Sequence, residues 1–189
     1  MFRKVVDATF NCLSIDSDTS TSDTVAIFSN GLAGEVPEHE FEKALHEMAL
    51  ALVKKIARDG EGATKLLEVG VKGGRDKAQA KRVAKAIVNS PLVKTAIHGA
   101  DPNWGRVAMA IGKCEKDLDI EPERVRIGFG DLQVFPGQLT AGDLERLSGV
   151  MRAEHVRIAV ELGCGGGDAT VWGCDLSAEY VSINADYST

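Results

Sequence analysis

Val160-Glu161-Leu162-Gly163-Cys164-Gly165-Gly166-Gly167 carries alternating apolar residues into a cluster of glycines. A strand entering such a loop opens a doubly wound domain when a helix comes next, because glycine lets backbone approach a ligand at the helix start. The next residues here are Asp168-Ala169-Thr170-Val171-Trp172-Gly173, whose alternation is that of a second strand. Residues 168–189 are also too few for further crossovers, since one strand–helix–strand unit takes roughly 30 residues. The glycine run is therefore expected to form a tight hairpin, where positive φ calls for glycine.

The S-adenosylmethionine-dependent methyltransferase reading that this motif invites falls with the doubly wound domain. Moving outward, Val156, Ile158, Val160 and Leu162 alternate, as do Val125, Ile127 and Phe129. Leu67, Val69 and Val71 predict another strand, and Val181 and Ile183 a last short one. Near the start, Leu13 and Ile15 read as a short strand and Val25-Ala26-Ile27-Phe28 as a buried one. Turns fall at Asn30-Gly31 and Ala33-Gly34. Glu38 to Arg58 is the best helix, with Phe41, Leu45, Met48, Leu52 and Ile56 as its apolar stripe. A second helix runs from Asp76 to Asn89, with Ala80, Val83, Ala84, Ile87 and Val88 facing the core, and Pro91 breaks it. Shorter helices are expected over Val107 to Ile111 and Asp143 to Arg152. Phe2, Val5, Val6, Thr9 and Phe10 share a helical face from the first residues. No capping residue precedes that helix, which suggests a natural chain that begins earlier. The expected class is α+β or mixed α/β, with helices packed on sheets. A soft boundary near residue 115 divides a mixed αβ lobe (1–115) from a smaller strand-rich lobe (116–189).

Bulk properties narrow the function. The chain has 189 residues, 44% hydrophobic and 26% charged, with a formal net charge of -6. An acidic chain is a poor default partner for nucleic acid or anionic membrane. No apolar run approaches the roughly 20 residues that span a bilayer, and the start is not a signal peptide. Cys12, Cys114, Cys164 and Cys174 form no paired motif and read as reduced, buried thiols. His39, His46, His98 and His155 lack metal-ligand spacing, so no metal site is expected and none of the four is given a role.

Four segments, in order, carry a resemblance. They are Asp18-Thr19-Ser20-Thr21-Ser22-Asp23-Thr24; Asp59-Gly60-Glu61-Gly62-Ala63-Thr64-Lys65; Ser90-Pro91-Leu92-Val93-Lys94-Thr95-Ala96-Ile97 leading to Asp101-Pro102-Asn103-Trp104-Gly105-Arg106; and Trp172-Gly173-Cys174-Asp175-Leu176-Ser177 leading to Tyr180-Val181-Ser182-Ile183-Asn184-Ala185-Asp186-Tyr187-Ser188-Thr189. Together they resemble the β-subunit of the ornithine acetyltransferase (glutamate N-acetyltransferase) family from about residue 2 to residue 189. Ser22 departs from it, since the family more often has Asn there.

The resemblance implies a mechanism and a set of partners. Family members are made as one precursor that cuts itself before an internal threonine, which becomes the N-terminus of the β-subunit. Its hydroxyl takes acetyl from N-acetylornithine, and glutamate then accepts it, with the free α-amine as base. Oxyanion donors lie on the α-subunit, and the expected assembly is α2β2. This chain begins with methionine, so it has no such threonine; it is expected to hold no catalytic residue and to be inactive alone. No cofactor is implied, although bifunctional members also use acetyl-CoA. The compartment implied is the cytoplasm, or the mitochondrial matrix in a eukaryote. The competing expectation is a non-catalytic remnant that binds a partner subunit or ligand.

Three positions carry over as substrate-binding. Glu61, between glycines, matches a family carboxylate that suits the ammonium of ornithine. Asn184 and Thr189 match two polar residues near the family's C-terminus, able to bind a carboxylate or amine. Asp18, Thr19, Thr21, Asp23 and Thr24 either line the cleft or form side-chain turns that hold a loop. Asp101, Asn103, Trp104 and Arg106 are expected to brace a helix start, with Asp101 or Asn103 as its cap.

Overall fold

The computed structural model describes residues 1–20, 22–32, 34–114 and 116–186. The chain opens with α1 (Phe2–Ala8) and a 3-10 turn, which bury Val5, Thr9 and Cys12. The described residues of 16–36 run exposed to α2 (Glu38–Arg58). Then come β1 (Leu66–Gly74), α3 (Lys77–Val88), α4 (Pro91–His98) and α5 (Trp104–Gly112). The rest is β2 (Arg126–Phe129), β3 (Leu132–Phe135), α6 (Ala141–Arg152), β4 (His155–Glu161), β5 (Gly167–Cys174) and α7 (Ala178–Asp186).

Side chains start the central helices where the sequence supplies oxygen acceptors. Asp76 accepts from Gln79 N–H, Ser90 from Val93 N–H and Asn103 from Arg106 N–H, and Thr140 forms a capping box with Asp143. Asn103 is thus the cap of α5. Arg106 donates to Leu92 O and Thr95 Oγ1, and Trp104 stacks on Phe135 with ring centroids 4.6 Å apart.

One five-stranded sheet has the order β3-β2-β4-β1-β5. β1 pairs parallel with β4 and antiparallel with β5. Leu67, Val69 and Val71 of β1, with Ile158 of β4 and Ile127 of β2, have no solvent exposure. Helix α3 covers β1 and β5 with Ala80, Val83, Ala84 and Ile87, also fully buried. The mixed α/β class expected from the sequence holds. The sheet takes β1 from before residue 115 and its other strands from after it. Cys12 and Cys174 are buried thiols, while Cys114 and Cys164 are half-buried; all four are free.

Several expectations are corrected. The glycine run is not a hairpin, because β4 and β5 do not pair: β1 lies between them. Residues 162–166 cross the end of β1, with Leu162 N–H donating to Lys72 O and both Cys164 and Gly165 N–H to Gly73 O. The crossing covers two strand spacings, about 10 Å, which a short loop can span. At Gly167 the need is close approach, since a Cβ would lie 2.2 Å from the carbonyl carbon of Asp76. Val181 and Ile183 sit in helix α7, 61% and 39% exposed, so two alternating residues did not define a strand. Val25-Ala26-Ile27-Phe28 is not a buried strand: Phe28 is 92% exposed. Pro91 ends one helix and also begins the next, at a first-turn position where its missing N–H costs nothing. Strand β3 was not foreseen. Helix α2 buries Ala49, Val53 and Ala57, small enough to seat its axis close to its neighbours, while Phe41, Met48, Leu52 and Ile56 of the expected stripe stay largely exposed. Among the described residues, no helix is long and apolar enough to cross a membrane.

Candidate functional site

The turn between α2 and β1 carries Glu61, and helix α7 carries Asn184. Asn184 Nδ2 donates to Glu61 Oε2 at 2.5 Å across 123 residues of sequence, and to Tyr180 O at 3.0 Å. Both side chains are exposed. Two of the three predicted substrate-binding residues are therefore neighbours. The third, Thr189, lies outside the described residues, as does Thr21.

Gly62 makes the juxtaposition possible. Its φ is +64°, and a Cβ there would lie 2.5 Å from Tyr180 N and 2.8 Å from Ser177 Oγ. Ser177 Oγ donates to Gly62 O at 2.6 Å and accepts from Tyr180 N–H in the first turn of α7. The Tyr180 hydroxyl donates to Asp16 Oδ2 at 3.2 Å, which ties α7 to the start of the polar segment. Burial, then the Asp16 carboxylate, push the Tyr180 phenol up. Within that segment Asp18 N–H donates to Asp16 Oδ1 and Ser22 N–H to Ser20 Oγ, so side-chain turns are present but are made by Asp16 and Ser20, not by the residues named for that role.

Next to the Glu61 turn lies a group of polar residues, centred on the buried Asp175 and Lys94, that motif reading did not single out. Asp175, whose side chain has no exposure, accepts from Thr64 N–H and Lys65 N–H at 2.8 Å each, from Thr64 Oγ1 at 2.5 Å and from His98 Nδ1 at 2.7 Å. Burial alone raises a carboxyl; the donors, Thr64 and His98 foremost, overcome it and hold Asp175 below the usual carboxylate range. Lys65 Nζ donates to Ile97 O and Met151 O at 2.8 Å each, bridging the C-terminal ends of α4 and α6. Lys94, 3% exposed, donates to Ile15 O and Cys174 O at 2.6 Å each, and burial lowers its pKa. The sequence held a clue: Lys94, Lys65 and Asp175 all sit inside the segments that carry the resemblance, and His98 lies one residue past one of them.

The arrangement offers an exposed carboxylate beside an amide on a rigid backing. A carboxylate there can pair with an ammonium, and Asn184, having spent its amide hydrogens on Glu61 and Tyr180, still offers Oδ1 as an acceptor. Among the described residues no group of three or more His, Cys, Asp or Glu is placed to hold a metal ion. A trough of about 370 Å³ opens on the bare face of the sheet instead, floored by Gly70, Ala159 and Gly128, and Glu61 is not part of it.

Comparisons with known proteins agree in one direction. The chain is 64% identical over 189 residues to the arginine biosynthesis bifunctional protein ArgJ 2 of Nostoc sp., covering all of this chain and 49% of that protein. It is 58% identical over 194 residues to the glutamate N-acetyltransferase Oat2 of Streptomyces clavuligerus, again covering 49% of it. The chain thus spans about half the length of these curated relatives. A crystal structure of the arginine biosynthesis bifunctional protein argJ from Bacillus halodurans superimposes with a TM-score of 0.90 at 42% identity, covering 98% of this chain and 91% of that one. The family model matches residues 1–189, so the whole chain belongs to the ArgJ family.

Proposed function

We propose that this chain supplies part of the substrate site of a glutamate N-acetyltransferase of arginine biosynthesis, which moves acetyl from N-acetylornithine to glutamate. The observation that carries the reading is the Glu61–Asn184 pair, two residues 123 positions apart that meet at one exposed spot. Glu61 receives the ammonium of the ornithine moiety, and Asn184 and Thr189 hold its other polar end. In the reaction a threonine hydroxyl attacks the acetyl carbonyl and the C–N bond breaks. Ornithine leaves with the proton. The amine of glutamate then attacks the resulting ester and releases the hydroxyl. That threonine and its oxyanion donors belong to the part of the relatives that this chain does not span, so the 189 residues alone are inactive.

The partner is the other half of the same precursor, in an α2β2 assembly. Support comes from apolar surface left bare here: Phe28 at 92%, Leu32 at 86% and Met48 at 65% exposed. The proposed compartment is the cytoplasm, or the mitochondrial matrix in a eukaryote.

The test is acetyl transfer from N-acetylornithine to glutamate by the natural full-length reading frame beside this chain. Activity is expected in the full-length product alone, and Glu61→Gln is expected to raise KM for N-acetylornithine roughly tenfold. A folded, inactive full-length product would overturn the reading, and turnover by the 189-residue chain would overturn its dependence on the other half. Replacing N-acetylornithine with acetyl-CoA in the same assay separates bifunctional from monofunctional members.

A further inference from the structure

The carboxylate of Asp175 takes four donors from two places, the exit of the Glu61 turn and the last turn of α4. None of the four is needed to pair β1 with β5, which a backbone ladder from Leu66↔Cys174 onward already does. Helix α4 has other ties besides His98, through Lys65 and Lys94. Three of them fix residues 64 and 65 against the segment that leads into α7, and the fourth, from His98, ties that segment to the last turn of α4. Ser177 does the same for Gly62, two residues further along that segment. Glu61 precedes these anchor points and Asn184 comes after them, so Asp175 and Ser177 together brace the backbone on both sides of the direct Asn184–Glu61 bond.

We infer that Asp175 is a positioning residue for substrate binding, holding the Glu61 turn at the distance from Asn184 at which both reach one substrate. The inference rests on Glu61 being the group that meets the substrate ammonium. Asp175 touches no substrate; it acts through the turn. Its charge matters because two acceptor oxygens must serve four donors, and an amide presents N–H to half of them.

The test is a double-mutant cycle in the complete enzyme expressed from its natural reading frame. KM for N-acetylornithine and kcat are measured for wild type, Glu61→Gln, Asp175→Asn and the double variant. Asp175→Asn is expected to raise KM roughly fivefold or more with little change in kcat, the signature of lost uniform binding. In the Glu61→Gln background the same change is expected to add almost nothing, because its target is gone. An equal rise in both backgrounds, or no rise in a folded variant, overturns the inference. An unchanged KM in Glu61→Gln itself overturns the reading beneath it, and the two failures are thereby separate. Where Asp175→Asn does not fold, Thr64→Val removes one donor at constant volume and takes its place in the cycle, with a smaller rise expected and the same non-additivity required.

Discussion

Asp175 keeps its charge without any contact with water, because four donors replace the solvent. A carboxyl held below its ordinary value in the folded protein stabilises the fold in its charged form. That contribution is whole above the unfolded-chain value, about 3.9, and is lost as pH falls through the lower folded value. Urea unfolding of wild type and Asp175→Asn near neutrality and near about pH 2.5 checks this. The stability gap is expected to be wide at neutrality and to narrow in acid, and an unchanged gap would remove the charge from the account. Such a residue was hard to read in advance. Glu61 and Asn184 stood out because their motifs resemble a family's substrate positions. Asp175 finds its meaning in Thr64 and Lys65, 111 and 110 residues away, and in His98, which looked like one scattered histidine among four. Charge burial and long-range pairing leave no local mark that periodicity can detect.

Helix α2 shows what periodicity does detect and where it misleads. Its span, Glu38–Arg58, was legible to the residue, yet the face it buries is the one with alanines and a valine, and the large apolar stripe points away. Two substitutions on adjacent residues separate the faces. Val53→Ala, at a site with no exposure, is expected to cost about 2 kcal/mol. Leu52→Gln, at 46% exposure, is expected to stay within about 0.5 kcal/mol. Thermal melts of the chain decide, and a larger loss at Leu52 would mean the stripe is core after all. The strands were legible as alternating segments for the same reason the helix was. Their neighbours were not, because alternation reports which residues share a face and says nothing about which strand lies alongside. So β4 and β5, read as a hairpin, proved to flank β1.

The bare stripe of α2 and the exposed apolar residues Phe28 and Leu32 belong to one chain that covers about half the length of the curated relatives it matches. The 189 residues by themselves are expected to associate with concentration in sedimentation experiments, and Met48→Gln with Leu52→Gln to reduce that association. Co-expression with the partner half proposed above is expected to give one discrete complex in which the association is gone. Persistence of free, self-associating chain beside a folded other half would count against the stripe as its seat. The position of β1 between β4 and β5 has a consequence of another kind, in time. Leu66 pairs with His155 and with Cys174, so β1 is joined to the sheet only by contacts distant in sequence. Pairings of this range slow the search for the native state. On the ribosome, β1 emerges well before either of its partners, while β2 and β3 can pair as soon as they appear. Strand β1 must therefore wait, its edges open, until β4 and β5 have been synthesised.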